Sequence, residues 1–174
     1  QGASAAERGA AWHAVMQHVP LDRPVDEDAV LAVMRQLAEK DILPAALLPD
    51  IDPAPIARFF RTGLGRRLIA SGSAEREVPF TLALPAPDVY PDAPAALEGE
   101  TVLIQGVIDC LFEEEDGLVI VDFKTDRVTG DPRDAAEKYR VQLDLYARAA
   151  RALRKRPVKE AALYFFDGGH LVVL

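Results

Sequence analysis

GVIDCLFEEEDGLVIVDFKTD, residues 106–126, decides the fold, because it carries two apolar runs that each end in charge. Asp109 closes the first run (TVLIQGVID), and Asp122 with Lys124 closes the second (LVIVDFK). Between them Glu113 to Gly117 is polar and contains the Asp-Gly pair that favours a hairpin turn. In an antiparallel pair, opposed residues share a face, as do residues i and i+2 of one strand. A two-residue loop, Asp116-Gly117, sets Asp109 opposite Lys124. A four-residue loop, Glu114 to Gly117, sets it opposite Asp122. Either register gathers Asp109, Asp122 and Lys124 on one face, and only an odd slip separates them. Two carboxylates and an ammonium at one sheet edge suit a metal-dependent hydrolytic site. They would equally suit a surface ion-pair cluster.

Composition narrows the setting. At 174 residues and 19.0 kDa, with 49% hydrophobic residues and a mean hydropathy of +0.01, the chain has the size and apolar content for one domain with a real core. No apolar run approaches the roughly 20 residues of a membrane span, and no signal-peptide pattern opens the chain, so the expectation is a cytoplasmic protein without a membrane partner. The single cysteine, Cys110, excludes a disulfide framework and any four-cysteine zinc or iron–sulfur site within the chain, and its place in a strand suggests a buried small hydrophobe. The net charge of −8 argues against a general nucleic-acid coat protein, but not against a nuclease with acids gathered at a site and basic patches elsewhere. The start in QGASAAERG and the end in HLVVL read as cuts from a longer polypeptide.

Outward from the hairpin, Ala5 to His18 reads as a helix with Trp12, Val15, Met16 and Val19 at helical spacing, ended near Pro20. Asp26 to Lys40 reads as a second, capped by Asp26 or Asp28 and striped by Val30, Val33, Met34 and Leu37. A third, from about Pro55 to Ala70, carries the first basic cluster: Arg58, Arg61, Arg66 and Arg67. Glu77 to Leu84 alternates like a strand, with Pro79 pointing to an edge. Pro85 to Pro94 reads as a surface loop. After Pro132, one long helix over Arg133 to Arg154 is expected, with Tyr139 and Leu143 in the core. It brings a second basic cluster (Arg140, Arg148, Arg151, Arg154, Lys155, Arg156), readable as a solvated face or as phosphate contacts. Val158 to Phe166 and His170 to Leu174 form a last hairpin around Asp167-Gly168-Gly169. Strands between helical blocks imply a mixed sheet with helices packed on it. The acidic run Glu113 to Asp116 reads as a solvated loop.

Gly-x-x-Asp at Gly106 to Asp109, followed by Asp122-Phe123-Lys124 after an apolar strand, resembles the core of the PD-(D/E)XK nucleases. Gly9-x-x-x-His13 on the first helix, Glu77 at the opening of a strand, Asp-Phe-Lys-Thr at 122–125 and Gln142-x-x-x-Tyr146 on the following helix stand in the order of the RecB family. Among these, the chain is most similar to the C-terminal nuclease domains of AddA-type helicase–nucleases. The likeness spans nearly all of residues 1–174, as one nuclease domain. It implies an α/β fold of the restriction-endonuclease-like kind, a mixed β-sheet flanked by helices.

The likeness also implies roles. Asp109 and Asp122 are hard oxygen ligands for Mg²⁺, with Mn²⁺ able to substitute. His13 resembles a further metal ligand, and the Phe123 backbone carbonyl supplies another oxygen. Glu77 binds a second metal or a metal-bound water. Lys124 orients or deprotonates the attacking water, or stabilises the transition state, and these roles stay open. Gln142 and Tyr146 position DNA or brace the site. Phe123 stands where tyrosine is frequent in the family, at little cost to a site that uses the backbone. The implied activity is Mg²⁺-dependent deoxyribonuclease action on single DNA strands delivered by a helicase in break repair and recombination. Its implied partners are the helicase domains of a parent chain and an AddB-like protein, and no iron–sulfur cluster is expected here. With no GxxxxGK[ST], ATP hydrolysis is not expected of this chain. The alternatives are a non-catalytic scaffold on the nuclease fold that docks a partner or guides DNA, and a stand-alone restriction-like endonuclease.

Overall fold

The computed structural model describes residues 3–92 and 94–174. Helix α1 (Ala5–His18) begins at a reciprocal cap: Glu7 N–H donates to Ser4 Oγ at 3.2 Å and Ser4 N–H to Glu7 Oε2 at 2.8 Å. Helix α2 (Glu27–Glu39) starts at Asp26, whose carboxylate takes the Ala29 N–H at 2.8 Å, and buries the expected stripe of Val30, Val33, Met34 and Leu37.

The expected third helix is two, α3 (Pro53–Arg61) and α4 (Gly63–Ser71). Thr62 breaks it: its backbone is extended (ψ 160°), and its hydroxyl accepts the Gly65 N–H at 3.0 Å, capping a new helix. Apolar spacing carries through such a break, so periodicity alone misses it.

Strands β1 (Glu75–Pro85), β2 (Thr101–Glu114) and β3 (Gly117–Lys124) run antiparallel in sequence. Between β1 and β2, the expected loop holds a short helix, α5 (Ala86–Val89), and a 3₁₀ turn over Ala95–Leu97. β3 then pairs in parallel with β4 (Val158–Phe165), which pairs antiparallel with β5 (His170–Val173). The sheet is therefore mixed, five strands in the order β1-β2-β3-β4-β5, with β1 an edge that tolerates Pro79. The segment between β3 and β4 is two helices rather than one, α6 (Pro132–Glu137) and α7 (Arg140–Arg154), with Lys138 and Tyr139 at the joint.

Two layers cover the sheet. Val119, Val121 and Phe123 of β3 enter a core with α1 to α4, while Leu118 and Ile120 enter one with α7. Covered on both faces, β3 is apolar throughout Leu118–Val121. Gly106 serves this packing: a Cβ there would meet the Phe80 ring at 2.7 Å, and Tyr146 of α7 packs edge-on to Phe80, centroids 5.6 Å apart.

The acidic run is not a merely solvated loop. Strand β2 continues to Glu114; Glu114 meets Arg67 at 2.8 Å and Lys159 at 2.9 Å, Asp116 meets Lys159 at 2.6 Å, and Glu113 meets Arg156 at 3.3 Å. The bases come from α4, from the segment just before β4 and from the start of β4, which local sequence cannot bring into view.

Cys110 is buried as expected, and burial pushes its thiol up to about 12. The folded thiol is therefore both covered and kept protonated at pH 8. A thiol-reactive dye should label no cysteine in the native protein and one per chain in guanidinium. Native labelling at the rate of a free thiol would contradict this packing.

Candidate active site

The β2–β3 ladder runs from Glu114 opposite Gly117 to Cys110 opposite Val121, so the next pair outward is Asp109 with Asp122. This is the second of the two registers open from sequence, with Glu115 and Asp116 at the turn. Asp122 and Lys124 follow Leu118 and Ile120 on the α7 face of β3.

Asp109 sits at an irregularity. Ile108 packs in the α7 core and Cys110 in the α1–α4 core, although two residues apart on a regular strand they would share a face. Strand β2 therefore rolls over at Asp109. Its neighbour β1 does the same at Glu77, whose left-handed backbone (φ 53°) falls between the paired positions Arg76–Cys110 and Val78–Ile108. Glu77 is thus inside β1 rather than at its opening, held in a conformation that costs a non-glycine residue about 1–2 kcal/mol.

The roll-over lets both helical layers contribute. From α1, His13 Nδ1 lies 3.5 Å from Asp109 Oδ1, and one ligand atom each of His13, Glu77 and Asp109 all lie within 4.8 Å of one another. Gly9 lets α1 come this close, since a Cβ there would stand 3.2 Å from Thr125 Oγ1. The Arg76 guanidinium fixes the other end of α1 by donating to the carbonyls of Met16, at 3.1 Å, and Val19. On the other side of the sheet, Lys124 Nζ lies 2.7 Å from Asp122 Oδ2 and donates to Gln142 Oε1 at 3.0 Å. Gln142 donates in turn to the Tyr146 hydroxyl at 3.1 Å, one turn along α7.

The Phe123 side chain points into the core, edge-on to Phe59 at 5.0 Å, leaving its backbone to the site, and its N–H donates to Asp109 Oδ2 at 2.9 Å. Sequence reasoning missed Tyr139. Expected in the core, it is half-buried: Lys124 Nζ stands 4.0 Å from its ring centre, and its hydroxyl donates to Asp126 Oδ2 at 2.6 Å. The α6–α7 joint that turns it there has no pattern of its own.

Charge in the cluster is uneven. Burial and the facing Asp109 push the Asp122 carboxyl up to about 7, against the pull of Lys124. Burial also works to raise Asp109, but His13 and the Phe123 N–H outweigh it and leave the group lowered. Burial, then Asp109, raises Glu77, and the bond to Asp109 raises His13. Asp122 Oδ2 is buried with no hydrogen bond of proper geometry, its Lys124 contact being ionic. The clustered oxygens of Glu77 and Asp109 and the His13 imidazole, beside the buried Asp122 carboxylate, are a donor set that fits a hard divalent cation, which oxygen and neutral imidazole both ligate.

The family model of the PD-(D/E)XK nuclease superfamily matches residues 1–172. Bacterial ATP-dependent helicase/nuclease proteins of the AddA type are similar throughout. That of Bacillus licheniformis is 45% identical over 99% of this chain and 15% of its own length. The Moorella thermoacetica protein is 47% identical over 97% of this chain and 12% of its own, and the Bacillus velezensis protein 45% identical over 100% and 15%. The chain thus spans roughly an eighth to a seventh of these relatives.

The Glu77 backbone gives a stability test. Glycine adopts φ 53° without penalty, so Glu77→Gly should be about 1 kcal/mol more stable than Glu77→Ala in urea unfolding. Equal stability of the two variants would mean that residue 77 is not left-handed in solution.

Proposed function

This chain belongs to the PD-(D/E)XK nuclease superfamily, and from that membership we propose that it is the Mg²⁺-dependent deoxyribonuclease part of a helicase–nuclease. In this reading it cuts phosphodiester bonds exonucleolytically in single strands that the motor of the parent polypeptide delivers, with an AddB-like protein as partner, in break repair and recombination. Mn²⁺ substitutes for Mg²⁺. The observation that carries the reading is the meeting of His13, Glu77 and Asp109 within 4.8 Å, next to the buried Asp122–Lys124 pair at 2.7 Å. The helicase/nuclease name of the relatives supports the motor. The described residues include no helix long and apolar enough to cross a membrane.

Each side chain has a task. Asp109 and Asp122 would hold the cation, with His13, Glu77 and the Phe123 carbonyl as further donors. When bound, such a cation would supply a lowered pKa for a water and a counter-charge for the phosphate. Lys124 presents its ammonium to the phosphate oxygens as negative charge builds. Asp122, Gln142 and the Tyr139 face restrain that ammonium from three directions, so little reorganisation is needed when the charge develops. Tyr146 secures Gln142.

The test is degradation of an end-labelled single strand with Mg²⁺ by the helicase–nuclease bearing the substitution. Asp122→Asn should abolish cutting and the calorimetric Mn²⁺ signal, and Lys124→Ala should lower the rate by about 10²–10³-fold. EDTA should stop the wild-type enzyme. Degradation at the normal rate by either variant sinks the assignment. Mn²⁺ binding that ignores both Asp109→Asn and Asp122→Asn would favour a non-catalytic scaffold instead.

A further inference from the structure

Beside the carboxylate cluster lies a cleft of about 700 Å³ that the catalytic reading leaves without a task. Its walls are α1, the start of α3, the segment leaving β3 and the turn between β4 and β5. Two of these continue directly from the site. Arg8 and Trp12, one turn apart, form a strip of α1 beside the strip of Gly9 and His13. Thr125, Asp126 and Arg127 are the residues that follow Lys124. A polymer held at the carboxylates therefore has this cleft as its adjoining space.

The charges lining the cleft are pre-sorted. Its three cations, Arg8, Arg58 and Arg127, have no carboxylate within ion-pair distance among the described residues. Two of its three acids are already engaged: Asp126 accepts from Tyr139 at 2.6 Å and pairs with Lys138 at 2.9 Å, and Asp167 takes the Val128 N–H at 2.8 Å. The third, Asp50, has no ion pair among the described residues, so the three cations outnumber the one free acid. Most of the second basic cluster behaves oppositely. Arg140 pairs with Glu137 at 2.9 Å, Arg148 with Asp88 at 3.6 Å, Arg156 with Glu113 at 3.3 Å, and Arg154 with Glu75. In a chain of net charge −8, three cations without an ion-pair partner thus lie together beside the acidic site.

Two further features suit a nucleic-acid strand over a peptide. Trp12, half-buried, is propped against Phe166 with centroids 4.8 Å apart, which holds the indole rigidly at the cleft wall. A base stacks on such a platform whatever its identity. Arg58 anchors its Nη2 on the Phe166 carbonyl at 2.7 Å, while its Nε is buried without a hydrogen-bond partner. An aromatic platform flanked by unpaired guanidinium groups matches the alternation of base and phosphate in a single strand.

We propose that this cleft is a strand-binding subsite, in which Arg8 and Arg127 hold phosphates flanking the scissile bond and Trp12 stacks one base without reading sequence. The proposal rests on the nuclease reading and adds to it the route by which the strand meets the carboxylates.

Trp12 is the one tryptophan of the chain, so it reports occupancy directly. The 174-residue chain is titrated with a twelve-residue oligothymidylate in Ca²⁺ at several salt concentrations, and binding is followed by tryptophan emission and by anisotropy of a labelled strand. Quenching is expected on binding. The exposed pair Arg8→Ala/Arg127→Ala should weaken affinity at least tenfold and flatten the slope of log K against log salt by about 1.4, two single-strand phosphate contacts. Trp12→Leu should weaken binding roughly tenfold with the salt slope unchanged. Absence of quenching, or an unaltered affinity and slope in the double variant, overturns the subsite. Cutting assays with Mg²⁺ separate the two claims: the double variant should raise KM with little change in kcat. If its KM stays at the wild-type value while Asp122→Asn no longer cuts, the subsite is wrong and the nuclease reading stands. If Asp122→Asn cuts normally, the nuclease reading falls, and the subsite proposal falls with it.

Discussion

The site depends on the roll-over that β1 and β2 make together at Glu77 and Asp109. In a regular ladder, Asp109 would face one helical layer only, and His13 from α1 could not share a centre with groups that face α7. By turning over at that residue, β2 sets Asp109 between the layers. One oxygen of its carboxylate faces His13 across 3.5 Å, and the other takes the Phe123 N–H at 2.9 Å. The left-handed Glu77 is the hinge of the turn, and its backbone cost of about 1–2 kcal/mol is met by the core packing on either side.

The second consequence is electrostatic. Burial first, and the facing Asp109 second, push Asp122 up, while His13 and the Phe123 N–H hold Asp109 down against its own burial. Lys124 relieves part of this strain through its 2.7 Å ionic contact with Asp122 Oδ2, and Gln142 and the Tyr139 ring restrain the ammonium there. The protein thus holds a carboxylate cluster and a largely buried ion pair close together. Such an arrangement is poor for stability alone, since replacing buried ionic groups by apolar ones is often neutral or better. That favours a chemical role over a structural one.

Much of this was legible because period-two and helical patterns are local. The stripe of α2, the buried run of β3 and the sharing of one face by Asp122 and Lys124 follow from spacing within single elements. The choice between hairpin registers did not, because Asp116-Gly117 signals a turn without counting its residues, and the turn formed one position earlier. The breaks at Thr62 and at Lys138-Tyr139 were hidden for a related reason: apolar spacing is indifferent to a cap inserted between two short helices. Tyr139 could not be placed under Lys124 without knowing that break. The strain at Glu77 has no sequence signature at all, since glutamate is an unlikely residue for φ 53° and only the two packed layers enforce it.

Charge shows the limit of counting along the chain. The α7 cluster, with Arg140, Arg148, Arg151, Arg154, Lys155 and Arg156, is the denser of the two basic runs, yet four of its members are drawn into ion pairs by acids from α5, α6, β1 and β2. Arg8, Arg58 and Arg127 come from three separated elements and form no run, but they converge on one cleft with their charges unpaired. Exposed pairs of the first kind add little to stability and leave almost no field for an anion. An acidic protein can therefore still offer a local route for a polyanion, provided its own carboxylates are occupied elsewhere. Under the proposed function, Asp109, Asp122 and Glu77 by themselves would repel a phosphate, and the cleft would offset that repulsion.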